Sequence, residues 1–152
     1  MGATTVWERW DSLRPDGSVN PGEMTSFNHY ALGSVINWLH AVVSGISPMD
    51  CGWRKIKVQP IPGGNITAAH GTYETVYGKL DCKWMIQNCD KFCLDLTVPP
   101  NSKALVVLPG ESNEGSWVGS GTYTFSRPYT APPWPPTAIH NIMGAPVEDD
   151  MA

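Results

Sequence analysis

Near the N-terminus two tryptophans bracket a carboxylate in Trp7-Glu8-Arg9-Trp10-Asp11, and a second carboxylate follows directly. Aromatic faces stack on the C–H faces of sugar rings, and a carboxylate held between them serves as acid or base. The plainer reading is that Trp7 and Trp10 pack in a core and Glu8 pairs with Arg9 or another cation. His29 follows Asn28 at the head of an apolar pattern, where a histidine either makes a local hydrogen bond or contacts a ligand. His70 and Glu74 fall on one face of an alternating segment and read as structural. The four cysteines, Cys51, Cys82, Cys89 and Cys93, include no Cys-x-x-Cys pair, and the four histidines are scattered. A zinc signature is therefore missing, and no pattern implies any metal or cofactor. We expect four reduced thiols that mostly pack, with Cys89 and Cys93 flanking a short turn. The sequon Asn65-Ile66-Thr67 matters only in a secreted chain.

Those side chains need elements to position them. From Ser26 to Ile46, the residues Ala31, Val35, Leu39, Val42 and Ile46 recur at helical steps, and Leu32, Ile36, Leu39, Val43 and Ile46 form a second stripe beside them. The spacing predicts one long helix with a broad apolar face, capped by Ser26 and ended near Gly45 and Pro48. So wide a face must pack on several neighbours, and the sequence supplies almost none. Downstream, Leu80, Cys82, Trp84 and Ile86 alternate with polar residues, as do Phe92, Leu94, Leu96 and Val98. Period two predicts half-buried strands joined by the turn Gln87 to Lys91. Further strands are expected over Trp53 to Gln59, Ile66 to Tyr77, Ala104 to Leu108 and Gly121 to Phe125. The predicted fold is mainly β, a small antiparallel β-sandwich preceded by one long helix. The expected organisation is a helical segment over 1–48, a sandwich over 49–126 and a Pro-rich tail over 127–152. In the tail, the segment Pro-Pro-Trp-Pro-Pro (132–136) suits polyproline II structure and docking in an aromatic groove.

Composition narrows the function classes. Ten Lys and Arg against fourteen Asp and Glu leave a net charge of −4 over 152 residues. That balance excludes an electrostatic nucleic-acid binder and a polybasic membrane anchor. Fifteen Gly and fourteen Pro exclude a helical bundle over the whole length. No apolar run is long enough to span a membrane. The start, MGATTVWERWDSLRPDG, lacks a secretory pattern, which favours a cytoplasmic location.

The blocks TTVWERWDSL, PGEMTSFNHYALGSVINWLH and GWRKIKVQPIPGG, followed by HGTYETVYGKLDCKW and FCLDLTVPPNSKALVVLPG, carry a resemblance. In order and spacing, from about Ala3 to Gly110, the sequence resembles the C-terminal region of α-L-rhamnosidases of glycoside hydrolase family 78. The resemblance implies that the helix is the last helical part of an α/α barrel and that a C-terminal sandwich follows it. It implies hydrolysis of terminal α-L-rhamnose with inversion, with a rhamnosyl glycoside as substrate. It makes Glu8 the general base that activates water and His29 a sugar-contacting residue, with Trp7, Trp10 and Asn28 as neighbours of the sugar. Inversion needs a second carboxyl group about 6.5–9.5 Å away as general acid. In the family that acid lies in an Arg-containing acidic block far upstream, and nothing here matches it. Glu23, Glu74 and Asp11 are no substitutes by spacing. The expectation is a C-terminal portion, inactive alone. The alternatives are a non-catalytic carbohydrate-binding or interaction module with Tyr73, Tyr77, Trp84 and Trp117 as surface aromatics, and half of a split enzyme completed in trans. The broad helix also predicts homo-oligomers.

Overall fold

Alternating apolar residues become alternating burial. A computed structural model describes residues 2–111 and 114–133. Its described residues hold eight strands: β1 (Ile46–Pro48), β2 (Lys55–Val58), β3 (Ala68–Thr75), β4 (Gly78–Gln87), β5 (Lys91–Val98), β6 (Lys103–Val106), β7 (Ser116–Val118) and β8 (Gly121–Pro128). They form two four-stranded sheets, ordered β1-β2-β6-β7 and β3-β4-β5-β8. On β4, Leu80, Cys82 and Trp84 are buried, and on β5 Phe92, Leu94, Leu96 and Val98 are buried. They meet Ile46, Ile56, Val58, Ala104 and Val106 from the other sheet in one apolar cluster. This is the expected mainly β sandwich, with one refinement. The β2–β6 pair is parallel, and the other pairs are antiparallel. A parallel pair needs a long crossover, and β3, β4 and β5 of the second sheet supply it.

Trp84 sits 1% exposed beside Phe92, with ring centroids 5.6 Å apart, so its expected place among the surface aromatics is wrong. Strand period puts it on the inner face with Leu80 and Cys82. Two short edge strands, β1 and β7, lie outside the predicted set. Ile46 belongs to β1 and to the core rather than to the helix. β8 runs on through Arg127 and Pro128, residues expected in the tail. Most of the Pro-Pro-Trp-Pro-Pro segment lies outside the described residues.

The helical segment is shorter and less regular than its pattern predicts. It comprises α1 (Tyr30–Gly33), α2 (Val35–Trp38) and a π-helical turn, Leu39–Val43. His29, not Ser26, is its N-cap, because the imidazole Nδ1 accepts from the Leu32 N–H at 3.3 Å. The break falls at Ser34, whose hydroxyl donates back to the Ala31 carbonyl at 2.7 Å. Such back-bonding beside a glycine bends helices. No residue of these three turns is buried.

The segment ends on the sandwich. Ile61 N–H donates to the Val42 carbonyl at 3.1 Å, Trp84 Nε1 to Val43 at 2.7 Å, and the Cys82 thiol to Ser44 at 3.3 Å. Carbonyls that a helix end leaves open are thus taken up by another part of the fold. Gly45 makes the turn at φ +76°, and a Cβ there would lie 2.2 Å from Pro60 N. Only glycine meets both demands without strain. Among the described residues no helix is long and apolar enough to cross a membrane.

Candidate functional site

Two N-terminal segments zip together around Glu8. Glu8 N–H donates to the Ser26 carbonyl, and His29 N–H donates to the Val6 carbonyl, both at 2.8 Å. The Thr5 hydroxyl bonds the Phe27 carbonyl in the same run. Trp7 packs edge-on against Phe27, with centroids 5.1 Å apart and planes at 83°. This is a favoured aromatic geometry, and it covers one side of the run.

The pairing carries two side chains together. Glu8 Oε2 accepts from the Ser26 N–H at 3.0 Å, while Oε1 lies 3.5 Å from His29 Nε2. Because His29 Nδ1 is occupied as acceptor from Leu32, Nε2 is the nitrogen that carries the proton in the neutral ring. The histidine therefore presents its N–H to the carboxylate while holding the helix start. Glu8 and His29 keep 15% and 26% of their side-chain surface, low enough to order them and high enough to be reached.

Arg9 does not serve Glu8. Its guanidinium grips Asp11 in a bidentate pair, Nε to Oδ1 at 3.0 Å and Nη2 to Oδ2 at 2.9 Å. Asn20 adds a 2.8 Å bond to Asp11 Oδ2. The pairing of Glu8 with Arg9 considered from sequence is thus replaced by an Arg9–Asp11 clamp, which matches planar fork to planar carboxylate. The clamp ties up Asp11 and leaves Glu8 to Ser26 and His29.

A cleft of about 500 Å³ lies over this region, lined by Ala3, Thr5, Val6, Trp7, Glu8, Arg9, Trp10 and Leu32. Trp10 is fully exposed, so it is not a core residue. Asn28 is exposed, and its N–H donates to Ser26 Oγ at 3.1 Å. Its side chain makes no hydrogen bond among the described residues. Glu8 is the one carboxylate among the residues lining the cleft. An ordered carboxylate with one oxygen fixed by a backbone amide can accept a proton from a water in such a cleft. The Ser26 and Leu32 amides that do the fixing carry no side-chain signal, so sequence reading does not find them. Spacing alone does not join Glu8 to His29 either.

The other candidates stay apart from this cleft. His70 Nε2 lies 2.9 Å from Asp81 on the neighbouring strand, and Lys79 joins them at 3.0 Å. All four cysteines are free, and burial, helped by the Asp81 charge, pushes the Cys82 thiol up to about 12. A thiol held neutral in this way is a packing group and a weak donor. Among the described residues no group of three or more His, Cys, Asp or Glu is placed to hold a metal ion.

Comparisons with known proteins converge on one family. Residues 45–122 match the bacterial alpha-L-rhamnosidase C-terminal domain, and residues 1–43 match the bacterial alpha-L-rhamnosidase 6 hairpin glycosidase domain. An alpha-L-rhamnosidase of Streptomyces avermitilis is 42% identical over 122 residues, covering 80% of this chain and 12% of that protein. One from Formosa agariphila is 38% identical over 82% of this chain and 13% of its own length. Among solved structures, the native Aspergillus terreus enzyme superposes with a TM-score of 0.68 at 50% identity, covering 82% of this chain and 14% of that one. The Streptomyces avermitilis enzyme complexed with L-rhamnose gives 0.67 at 37% identity, with the same coverages. The chain thus spans only about an eighth of the curated relatives it matches.

Proposed function

The chain belongs to the α-L-rhamnosidase family, and from that membership we propose that it carries the general-base half of an inverting rhamnosidase site. Glu8 is the base in this reading, and His29 positions it and contacts the sugar. Trp7, Trp10 and Asn28 flank the sugar. The observation that carries the reading is the Glu8 carboxylate, fixed by the Ser26 amide and faced by His29 in a Trp-lined cleft. Inverting hydrolysis needs a second carboxyl group across the scissile bond. Among the described residues no other carboxylate lines this cleft, so in this reading the chain alone is inactive and a rhamnosyl glycoside becomes a substrate only when further barrel residues complete the site. The exposed apolar side of the helical segment, Leu32, Val35, Ile36, Trp38 and Leu39, supports the same view, since a barrel would cover it.

The test is release of p-nitrophenol from p-nitrophenyl α-L-rhamnopyranoside by the purified chain beside its Glu8→Gln variant. We expect none above buffer. Release that disappears in Glu8→Gln would mean that a proton donor is present and would end the half-site reading. In a full-length relative, replacing the glutamate that aligns with Glu8 should lower kcat by about 10²–10⁴-fold, the usual contribution of a positioned base. An unchanged kcat would remove Glu8 from the role.

The same exposed helix favours a second reading, pairing of two copies through Leu32, Ile36 and Leu39. Sedimentation that shows only monomer at tens of micromolar would exclude it.

A further inference from the structure

The outer face of the β1-β2-β6-β7 sheet is basic in an acidic chain. Ile56, Val58, Ala104 and Val106 point into the core, so Lys55, Lys57 and Lys103 take the opposite face. With Arg54 they make four of the ten basic side chains of a protein whose net charge is −4. The parallel register sets Lys55 directly against Lys103. The two side chains turn to different partners, Lys55 to Asp50 and Lys103 to Trp117.

Two of these charges, Lys55 and Lys103, are held in place, and the one acid beside them, Asp50, does not neutralise the set. Asp50 Oδ2 takes Lys55 at 3.3 Å, while its Oδ1 accepts from the Cys51 N–H at 2.8 Å. Lys103 Nζ sits 4.7 Å from the centre of the half-exposed Trp117 ring. The Arg54 guanidinium has no hydrogen bond or ion pair among the described residues, although its carbonyl is tied to Lys103 N–H at 3.0 Å. Asp50, Arg54, Lys55, Asn101, Ser102 and Lys103 line one cleft of about 450 Å³. That volume is within the usual range for a small-molecule site. Every lining side chain is polar, three are cationic and one is anionic. None of them lines the cleft over Glu8.

We propose that this cleft binds a saccharide bearing a carboxylate, a uronate unit. The unpaired Arg54 fork takes the carboxylate, because a planar guanidinium matches it in two parallel bonds. Lys103, steadied by Trp117, supplies the second positive contact. Asn101, Ser102 and Asp50 offer an amide, a hydroxyl and a carboxylate to the sugar hydroxyls.

The experiment titrates sodium glucuronate into the chain at low ionic strength and follows amide shifts by NMR. Glucose, acetate and inorganic phosphate serve as parallel arms. We expect saturable shifts around Arg54 and Lys103 with glucuronate, weaker with acetate and absent with glucose. Losing one charge-assisted contact by Arg54→Gln or Lys103→Gln should weaken binding about tenfold or more. Lys83→Gln, exposed on β4 of the other sheet, should leave it unchanged. Acetate or phosphate binding as tightly as glucuronate would reduce the cleft to a cationic patch and overturn the proposal. So would the absence of saturable shifts with glucuronate, or equal weakening by Lys83→Gln.

Discussion

The sandwich and the N-terminal region are built on opposite terms. In the sandwich the core residues Ile56, Val58, Leu80, Phe92 and Leu94 are 0% exposed. Between residues 2 and 43, Ser12 is the single buried residue among those described. The sandwich is held by apolar burial, which scales with area. The N-terminal region is held by a ladder of backbone bonds, an Arg9–Asp11 clamp and a histidine cap, while Leu32, Val35, Ile36 and Trp38 lie about half exposed. The region that holds Glu8 and His29 is thus the one whose apolar surface has not been used.

The largest way to break this contrast is Trp84→Ala. It empties a core position and strips the Val43 carbonyl of its 2.7 Å donor. Loss of about 3–5 kcal/mol is expected for such a truncation, read as a drop in the urea midpoint. A loss below about 1 kcal/mol would mean the sandwich core is not close-packed. Next comes Gly45→Ala at the junction. A Cβ 2.2 Å from Pro60 N at φ +76° forces the backbone to move, and about 1–3 kcal/mol should be lost in the same assay. By contrast, Ile36→Ser on the helical segment should change stability by no more than about 0.5 kcal/mol, the usual range for surface sites. A large loss there would show that the helix is packed in solution and would erase the comparison.

The smallest effect is electrostatic. Burial alone would raise Asp81, but hydrogen bonds from Lys79 and His70 outweigh it and hold the carboxyl below its usual range. A depressed carboxylate stabilises the fold above its unfolded pKa, near about 4, and that stabilisation fades as pH falls through the lower folded value. Asp81→Asn should therefore flatten the acid limb of a thermal-melt series below about pH 4 and leave the neutral midpoint slightly lower. An unchanged acid limb would mean that the Lys79–Asp81–His70 group adds nothing.

Legibility follows the same division. β4 and β5 are plain in the sequence because one-sided burial imposes period two, and Leu80 through Trp84 obey it. β1 and β7 are not, since three-residue edge strands carrying Pro48 or Ser116 leave no periodic signal. Ile46 continues the helical stripe by spacing yet belongs to the core, because Gly45 turns the chain one residue earlier. Glu8 and His29 are visible as residue types, but their 3.5 Å approach depends on backbone pairing 18 and 23 residues apart, which side-chain patterns do not encode. Arg9 could be paired with either neighbouring acid on paper. Geometry selects Asp11, leaving Glu8 to the cleft.

The seat of the helical segment also sets an order of events during synthesis. Its last carbonyls are claimed by Cys82 and Trp84, which lie 38 and 41 residues further along the chain. Chains emerge from the ribosome N-terminus first, and contacts of long sequence separation form late. The helix is therefore made early and fixed late, when the β4 strand arrives beneath it. The direction in which the helical segment finally points is decided by the part of the protein that is translated after it.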